Sequence, residues 1–368
     1  MFNSDDHRFM ARAIQLAETP MCSPHPNPRV GCVLVKDGAV VGEGYHALAG
    51  QAHAEVNALN MAGEQARGAT AYVTLEPCCH HGKTPPCTQA LIAAGVSEVV
   101  VAMTDPNPQV AGNGIAELKQ AGITVREGLM TEQAQLLNRG FVKRMSTGRP
   151  WVMCKVAMSL DGRTAMATGE SHWITAPTAR RDVQRLRARS SAIMSGIGTV
   201  LSDNPYLNLR ENELGEEPTT QPARIILDSE LRTPPDARMF ELSGRTLIFC
   251  TSRNTEKKAA LEQRGAEVYV LPDYQGGVDL NALMDKLGQL EINEVMMEAG
   301  AILNGAMLRA KLLDELIIYM APVLMGDAAA GMMHLPGVIS MEQKIPMEIV
   351  DIRAIGQDWR ITCRPGKR

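Results

Sequence analysis

Three residues in the first half of the chain could build a metal-dependent catalytic site. His53 and Glu55 form a His-Ala-Glu triplet, and Cys78 follows Pro77, each group beside the start of a predicted helix. Imidazole nitrogen and thiolate sulfur are ligands that zinc prefers, and a catalytic zinc keeps a fourth tetrahedral position open for water. The pattern therefore predicts a zinc site with a carboxylate beside it.

The second sulfur ligand is missing from its usual place. Zinc deaminases use a histidine, two cysteines in a Pro-Cys-x-x-Cys motif, and a glutamate that binds no metal. His81 stands here where the second cysteine would be. Cys79 is adjacent to Cys78, and neighbours in an extended chain point apart. We therefore prefer Cys87 as the third ligand, with His80 and His81 as alternatives.

Glu55 distinguishes a catalytic zinc site from a structural zinc site. Zinc would lower the pKa of a water toward 7 and make hydroxide available at cellular pH. Glu55 could accept that proton, pass one to a ring nitrogen and help an amine depart as ammonia. A closed structural zinc site has no need of such a carboxylate, so its presence favours hydrolytic deamination over a zinc-stabilised scaffold.

Composition narrows the class of protein. The 368 residues suffice for two or three domains, and 45% hydrophobic and 21% charged residues are typical of globular chains. The net charge of −4 argues against an extended nucleic-acid or membrane surface, and so against a deaminase whose second half binds RNA. Without a secretory signal or membrane span, we expect a cytoplasmic chain with eight reduced cysteines and a small-molecule substrate.

Hydrophobic periodicity in the first half predicts the order α-β-β-α-β-α-β-α-β. The hairpin is expected to turn at Asp37-Gly38, which suits positive backbone dihedrals. This order implies a central sheet covered on both faces, with an antiparallel hairpin at its beginning. The predicted helices are 5–17, 53–62, 87–94 and 115–121, and the predicted strands are 30–35, 40–45, 71–74, 99–103 and 123–126.

A domain boundary is expected between residues 146 and 147. A helix over 131–145 closes the first domain, 1–146, and the turn formers at 146–150 follow it. The second domain, 147–368, is predicted to be α/β because helices fall between most of its strands. Those strands are 151–158, 192–195, 224–227, 246–250, 267–271, 294–298 and 315–320.

Chemistry is harder to infer in the second half. No Gly-x-Gly-x-x-Gly follows a strand and opens a helix there. The glycines at 196 and 198 follow one strand, and Glu298-Ala299-Gly300 follows another and precedes a helix. Free backbone amides at such a helix start could receive phosphate, although either segment could be only a tight turn.

Longer motifs carry a specific resemblance. The segments PNPRVG at 26–31, GYH at 44–46, HAE at 53–55, TLEPCCHHGKTPPC at 74–87 and DPNP at 105–108 resemble the bifunctional riboflavin-biosynthesis deaminase/reductase family. This resemblance implies a cytidine-deaminase-like α/β/α domain with Zn2+ on His53, Cys78 and Cys87. The implied substrate is 2,5-diamino-6-(5-phosphoribosylamino)pyrimidin-4-one, which is deaminated to a uracil. Four residues are implied to orient its ring or phosphate: Asn27, His46, His80 and Lys83, the last of which could also be a solvated loop charge.

The resemblance continues through KVAMSLDG at 155–162, SHWIT at 171–175, residues 196–205 and LNLR at 207–210. It implies a dihydrofolate-reductase-like domain that uses NADPH to reduce the ribosyl group to a ribityl chain. The implied NADPH contacts are Ala157, Trp173, Thr199, Asp203, Gly300, Ala301 and Ile302. The implied substrate contacts are Ser171, Arg187, Leu207, Arg210 and Glu298.

Some roles in this second site have alternatives. Trp173 could instead be a core or interface aromatic residue. Within the arginine-rich stretch we expect Arg187 to grip phosphate through its planar guanidinium, and the other arginines, Arg180 among them, to be solvated. Lys155 and Glu298, at predicted strand ends, are expected to assist protonation at the reacting centre. A homodimer or higher homo-oligomer is compatible with this reading.

Overall fold

A computed structural model describes residues 1–20, 22, 24–80, 85–108, 110–215 and 217–366. The chain divides into two compact units, Met1–Gly148 and Arg149–Arg368. The division falls two residues beyond the expected boundary. Within the described ranges, no helix is both long and apolar enough to cross a membrane.

The first unit is an α/β domain whose elements follow the predicted order. Its helices are α1 (Ser4–Glu18), α2 (Ala54–Ala62), α3 (Cys87–Ala94), α4 (Asn113–Gln120), α5 (Thr131–Leu137) and α6 (Arg139–Thr147). Its strands are β1 (Gly31–Lys36), β2 (Ala39–Tyr45), β3 (Thr70–Val73), β4 (Glu98–Val101) and β5 (Thr124–Glu127). A short 3-10 helix, Gly63–Ala66, follows α2.

These strands form one sheet in the order β2-β1-β3-β4-β5. β1 is antiparallel to β2 and β3, and β3, β4 and β5 are mutually parallel. The hairpin turns at Asp37 and Gly38, both with positive φ, as the Asp-Gly pair predicts. Two apolar clusters cover the faces of the sheet, one built on α1 and the other on α2, α3 and α4. The parallel strands deliver the segments after β3 and β4 to one edge.

Close packing fixes the position of α2 against the hairpin. A side chain at Gly44 would place its Cβ 2.2 Å from the Ala54 carbonyl oxygen, and one at Gly42 would lie 2.3 Å from that of Ala58. Glycine is therefore required where the helix crosses β2. The first turn of α2, which carries Glu55, is held directly on the sheet.

The single helix expected over 131–145 is wrong. It divides into α5 and α6 at Asn138, whose backbone leaves the helical conformation. The Arg29 N–H group donates to Asn138 Oδ1 at 2.8 Å, and Asn138 Nδ2 donates to the Arg29 carbonyl at 2.8 Å. This buried side-chain pair ties the junction of α5 and α6 to a distant loop.

The second unit holds a larger mixed sheet. Its helices are α7 (Pro177–Arg189), α8 (Ile197–Asp203), α9 (Glu211–Leu214), α10 (Thr255–Gln263), α11 (Leu280–Gln289) and α12 (Ala301–Arg309). Its strands are β6 (Trp151–Ser159), β7 (Arg163–Ala165), β8 (Ala192–Gly196), β9 (Ala223–Leu227), β10 (Thr246–Cys250), β11 (Ala266–Val270), β12 (Asp273–Tyr274), β13 (Gly277–Val278), β14 (Glu294–Met297), β15 (Glu315–Ala321), β16 (Ala330–Gly331), β17 (Met347–Ile355) and β18 (Asp358–Pro365). Short 3-10 helices lie at Arg238–Glu241 and Met341–Gln343.

Nine of these strands pair in the order β11-β10-β9-β8-β14-β6-β15-β18-β17. The first seven are parallel, and the hairpin β17–β18 adds two antiparallel strands. Alternate residues of the parallel strands face opposite helix layers: Met194 packs with α11 and α12, whereas its neighbour Ile193 packs with α8 and α10. The β17–β18 hairpin was not predicted from the sequence.

Candidate active sites

The three predicted zinc ligands lie together in the first unit. His53 immediately precedes α2, Cys87 is the first residue of α3, and Cys78 lies between β3 and α3. His53 Nδ1 is 3.6 Å from Cys78 Sγ and 3.3 Å from Cys87 Sγ, and the three ligand atoms lie within 4.8 Å of one another. Cys79 is not a member of this group, and His81 lies outside the described residues.

This donor set fits zinc. Bond lengths of about 2.3 Å to sulfur and about 2.0 Å to nitrogen imply N–S separations of about 3.5 Å in a tetrahedron. The observed distances of 3.3 and 3.6 Å are of this size. Three protein ligands leave the fourth tetrahedral position of a zinc for water.

The surroundings favour a thiolate at Cys78. Hydrogen bonding with Cys87 lowers the pKa of Cys78 to about 4, against the effect of burial, and His53 and the Cys87 N–H group act in the same direction. That N–H group, at the start of α3, lies 3.4 Å from Cys78 Sγ. The thiolate is the form that binds metal, so the local structure prepares this ligand.

Glu55 lies in the first turn of α2 beside the metal ligands and is 3% exposed. Burial raises the pKa of its carboxyl to about 7, and the negative charge of Cys78 adds to the rise. A carboxyl group with such a pKa can both take and give a proton near neutrality. The role of Glu55 in proton transfer stays a prediction, which its burial beside the metal ligands supports.

One predicted substrate residue, His46, lies next to His53, and a second, Asn27, is hydrogen-bonded to His46. The His46 ring packs edge-on against the His53 ring at 5.0 Å between centroids. His46 Nδ1 is 3.2 Å from the Ala52 carbonyl, and Asn27 Nδ2 is 3.0 Å from His46 Nε2. The carbonyl requires a proton on Nδ1, so Nε2 accepts from the Asn27 amide. Burial lowers the pKa of His46 and favours this neutral form.

Of the other two predicted substrate residues of this unit, only His80 is described by the structure. His80 is exposed at the end of the described segment, and Lys83 lies outside the described residues.

Sequence reasoning missed Thr88, whose N–H group donates to the Cys78 carbonyl at 3.2 Å. It also missed Glu76, a buried carboxylate two residues before Cys78. The signal for Glu76 was its place in the Glu-Pro-Cys triplet.

In the second unit, Lys155, Arg187 and Glu298 form a buried charge group. β6 and β14 are parallel neighbours with Met297 opposite Cys154, so Lys155 and Glu298 lie side by side. Glu298 Oε2 is 2.7 Å from Lys155 Nζ, and Oε1 is 2.6 Å from Arg187 Nε. Burial alone would raise the pKa of Glu298, but the two cations hold it well below its usual range. Glu298 is therefore an anion between two cations.

Arg187 also connects this group to the segment Leu207–Arg210, because its Nη1 donates to the Asn208 carbonyl at 2.8 Å. The Leu207 side chain is buried in the core, so a substrate could reach only its backbone. Arg210 is half-buried, and burial, followed by the charge of Arg187, lowers the pKa of its guanidinium. No ion pair joins Arg210 to another residue of the described ranges, which suits a phosphate contact.

Five of the predicted cofactor residues lie after the carboxyl ends of β8 and β14, which are adjacent strands. Gly300 directly precedes α12, and no side chain among the described residues caps that helix start. A Cβ added at Gly300 would meet no atom within 4 Å. Uncapped amides beside open space fit a phosphate of NADPH. Ala301 and the exposed Ile302 form the first turn of this helix, and Thr199 and Asp203 lie on α8.

The loop before α7 carries two more predicted residues. Trp173 is 62% exposed, which excludes the alternative that it is a core residue. The Arg180 guanidinium lies 4.6 Å from the centre of its ring and donates to the Thr175 carbonyl at 3.0 Å. The expectation that Arg180 is simply solvated is therefore wrong. Ser171 contacts His172 Nδ1 through its hydroxyl at 2.9 Å, and Ala157 is half-buried on β6.

Both halves of the chain match families of known proteins. Residues 3–103 match the family described as the cytidine and deoxycytidylate deaminase zinc-binding region. Residues 150–361 match the RibD C-terminal domain. The two matched ranges lie in the two structural units, one in each.

Whole-length relatives are also similar. Riboflavin biosynthesis protein RibD of Escherichia coli (strain K12) is 51% identical, and the match covers 96% of this chain and 97% of that protein. The RibD protein of Haemophilus influenzae is 48% identical over 99% and 98% of the two chains.

Two solved structures share the fold. Acinetobacter baumannii RibD, form 1, superimposes with a TM-score of 0.91 at 46% identity, covering 99% of each chain. A diaminohydroxyphosphoribosylaminopyrimidine deaminase/5-amino-6-(5-phosphoribosylamino)uracil reductase from Thermotoga maritima gives a TM-score of 0.85 at 34% identity, covering 98% of this chain and 99% of that one.

Proposed function

Because the chain belongs to the RibD family of riboflavin biosynthesis proteins, we propose that each unit catalyses one of two consecutive reactions on a phosphorylated pyrimidine. The chain is a bifunctional enzyme, a zinc-dependent deaminase and an NADPH-dependent reductase. We assign the deaminase to Met1–Gly148 and the reductase to Arg149–Arg368. The first substrate is 2,5-diamino-6-(5-phosphoribosylamino)pyrimidin-4-one, and its deaminated uracil is the second.

In the deaminase, His53, Cys78 and Cys87 hold zinc. Bound zinc supplies Lewis acidity, which lets water act as a nucleophile near neutral pH. Glu55 accepts a proton from the attacking water and delivers protons to the ring nitrogen and the departing amine. Water and the amino-pyrimidine thus give the carbonyl product and ammonia. The raised pKa of Glu55 suits a group that must take and return protons in each cycle.

Ring orientation falls to the residues around His53. Asn27 and His46 form a hydrogen-bonded pair beside the metal ligands and can present polar groups to the pyrimidine. We assign His80 and Lys83 to the same substrate, with the cation of Lys83 suited to its phosphate.

In the reductase, NADPH supplies the hydride that reaches the ribosyl C1′ carbon. The C1′–O4′ bond breaks, and O4′ takes a proton to become a hydroxyl of the ribityl chain. We assign Lys155 as the donor or relay of the proton that O4′ takes. Its Nζ is 2.7 Å from Glu298 Oε2. Arg210 and Arg187 bind the phosphate of the substrate. Backbone groups near Leu207 and the hydroxyl of Ser171 complete the substrate contacts.

The cofactor side of the reductase is formed by the two helix starts after β8 and β14. We assign the phosphates of NADPH to the amides of Gly300, Ala301 and Ile302. The further contacts that we assign to NADPH are those of Ala157, Trp173, Thr199 and Asp203.

We also propose a reducing, cytoplasmic location and a homo-oligomeric state. The cysteines at 32, 78, 79, 87, 154, 250 and 363 form no disulfide in the described part of the chain, which suits a compartment that keeps thiols reduced. Cell fractionation should recover the protein with cytosolic markers, and light scattering of the purified chain should give at least twice the monomer mass. Recovery with envelope markers, or a monomer, would contradict these assignments.

The observation that carries the proposed function is the meeting of His53, Cys78 and Cys87 beside buried Glu55. The test supplies the diaminopyrimidine phosphate to the purified chain with and without NADPH and identifies products by mass. We expect ammonia and the uracil without NADPH, and the ribityl uracil phosphate with it. Reduction without prior deamination, or neither product, would contradict the proposal.

A further inference from the structure

Glu76 is a buried carboxylate with an unusual set of partners. It lies just after β3, two residues before Cys78, and is 3% exposed. Its two oxygens accept four backbone N–H groups. The donors are Asp105 at 3.1 Å and Gly112 at 2.9 Å on Oε2, and Gly114 at 2.9 Å and Ile115 at 3.2 Å on Oε1. An ionised carboxylate offers about four lone-pair positions, so its capacity is filled.

These bonds join two parts of the first unit to the Cys78 segment. Oε2 holds both ends of the loop between Asp105 and Gly112, and Oε1 holds the start of α4. The first amides of a helix lack intrahelical partners, and a negative charge is stabilised there. Glu76 therefore fixes both loop ends and the start of α4 relative to Cys78.

Close packing at Gly114 also fixes the start of α4 against the segment that carries Cys78. A Cβ at Gly114 would lie 2.1 Å from the Pro77 carbonyl oxygen and 3.2 Å from Glu76 Oε1. The start of α4 is thus pressed onto the peptide unit that enters Cys78. Only glycine permits that approach.

Further contacts extend the arrangement to the metal ligands. The Thr88 hydroxyl lies 3.3 Å from the Cys78 carbonyl and 2.8 Å from Glu117 of α4. α4 is therefore connected to the Cys78 segment through Thr88 as well as through Glu76.

We propose that Glu76 is a positioning residue of the deaminase, which holds the Cys78 ligand, the backbone at Asp105 and Gly112, and the start of α4 in one working geometry without touching zinc or substrate. The proposal rests on the deaminase function assigned above. Glu76 acts through the position of Cys78 on zinc retention and, through the same ligand, on substrate turnover. Partners of metal ligands commonly change metal affinity or activity by about 10–100-fold when replaced.

The test compares zinc-loaded wild-type enzyme with Glu76→Gln. Glutamine keeps the size of the side chain, but its NH2 group would face two amide donors that lose their acceptor. We expect kcat/KM for deamination to fall by about tenfold or more and zinc transfer to a chelator to accelerate by a similar factor. Reduction of the pre-formed uracil substrate by the same preparation should stay unchanged, since that site is in the other unit.

Two further variants complete the design. Glu64→Gln removes an exposed carboxylate from the same unit and should match wild type in every assay. Gly114→Ala leaves Glu76 intact but forces α4 away from Pro77, so it should reproduce faster zinc release and weaker deamination. If Glu76→Gln does not fold, Gly114→Ala decides the question.

Several outcomes would overturn the proposal. One is a Glu76→Gln enzyme that melts earlier but keeps wild-type zinc release and deamination constants per zinc-loaded chain. Another is an equal loss of deaminase and reductase activity, which would indicate general unfolding. Wild-type deamination, measured first, tests the proposed function itself, so failure of that function and failure of the Glu76 proposal give different results.

Discussion

Replacing Arg187 with alanine should destabilise the second unit strongly. Arg187 and Glu298 form an ion pair at 2.6 Å with side chains only 10% and 13% exposed, and Arg187 also bonds the Asn208 carbonyl. Removing one partner of a buried pair costs about 3–5 kcal/mol, because the other charge stays buried. Lys155 still contacts Glu298 in the variant, so we expect a loss of about 3 kcal/mol, near the lower end of that range.

The loss should depend on pH with a defined sign. The folded protein holds the pKa of Glu298 below its ordinary value of 4.5. Its contribution to stability is therefore fully present above pH 4.5 and is lost as the pH falls through the folded-state pKa. The difference in unfolding free energy between wild type and Arg187→Ala should be largest above pH 4.5 and should shrink below it.

Tryptophan fluorescence during urea unfolding measures this effect in the correct unit, because all three tryptophans, at 151, 173 and 359, belong to the second unit. Arg185→Ala is the matched control, since Arg185 is exposed on the same helix. It should stay within about 0.5 kcal/mol of wild type. An Arg187→Ala chain equally close to wild type at neutral pH, or a difference that grows on acidification, would refute the reasoning.

Three other predictions concern ligands. Cys87→Ser should lose zinc while Cys79→Ser keeps it, as metal analysis would show; the reverse pattern would remove Cys87 from the site. Trp173→Ala should weaken NADPH binding severalfold in a titration with little change in unfolding free energy, because its ring is exposed; unchanged binding would exclude a cofactor contact. Arg210→Ala should raise KM for the uracil substrate and leave NADPH affinity unchanged, and a loss confined to NADPH would contradict the phosphate assignment.

Much of the first unit was predictable because its signals are local. The order of helices and strands follows from periodicity, and the Asp37-Gly38 turn forms as the sequence suggests. Adjacent residues of an extended chain point apart, which favours Cys87 over Cys79 as the third ligand. The structure places Cys87 with the other two predicted ligands. Their roles as ligands stay predictions until the metal is measured.

Features set by distant contacts were not predictable. The break between α5 and α6 depends on Arg29, which lies 109 residues before Asn138 in the chain. The β17–β18 hairpin was missed because most β17 side chains are exposed at the edge of the sheet, which leaves no buried alternation to detect.

The contacts within the reductase site were also not predictable from the sequence. Lys155, Arg187 and Glu298 come from three separate elements, and only the sheet register and α7 bring them together. Resemblance to a family named these residues, but it did not show that Arg187 pairs with Glu298. Similarly, the four amide bonds to Glu76 depend on residues 29–39 positions further along.

The most direct test of the account is ammonia release by Glu55→Gln, measured together with its zinc content and its NADPH oxidation on the pre-formed uracil. We predict that deamination falls by at least about 100-fold, while zinc and reductase activity stay at wild-type levels. Deamination at the wild-type rate in a zinc-loaded Glu55→Gln enzyme would contradict the central claim that Glu55 moves the protons at this metal site.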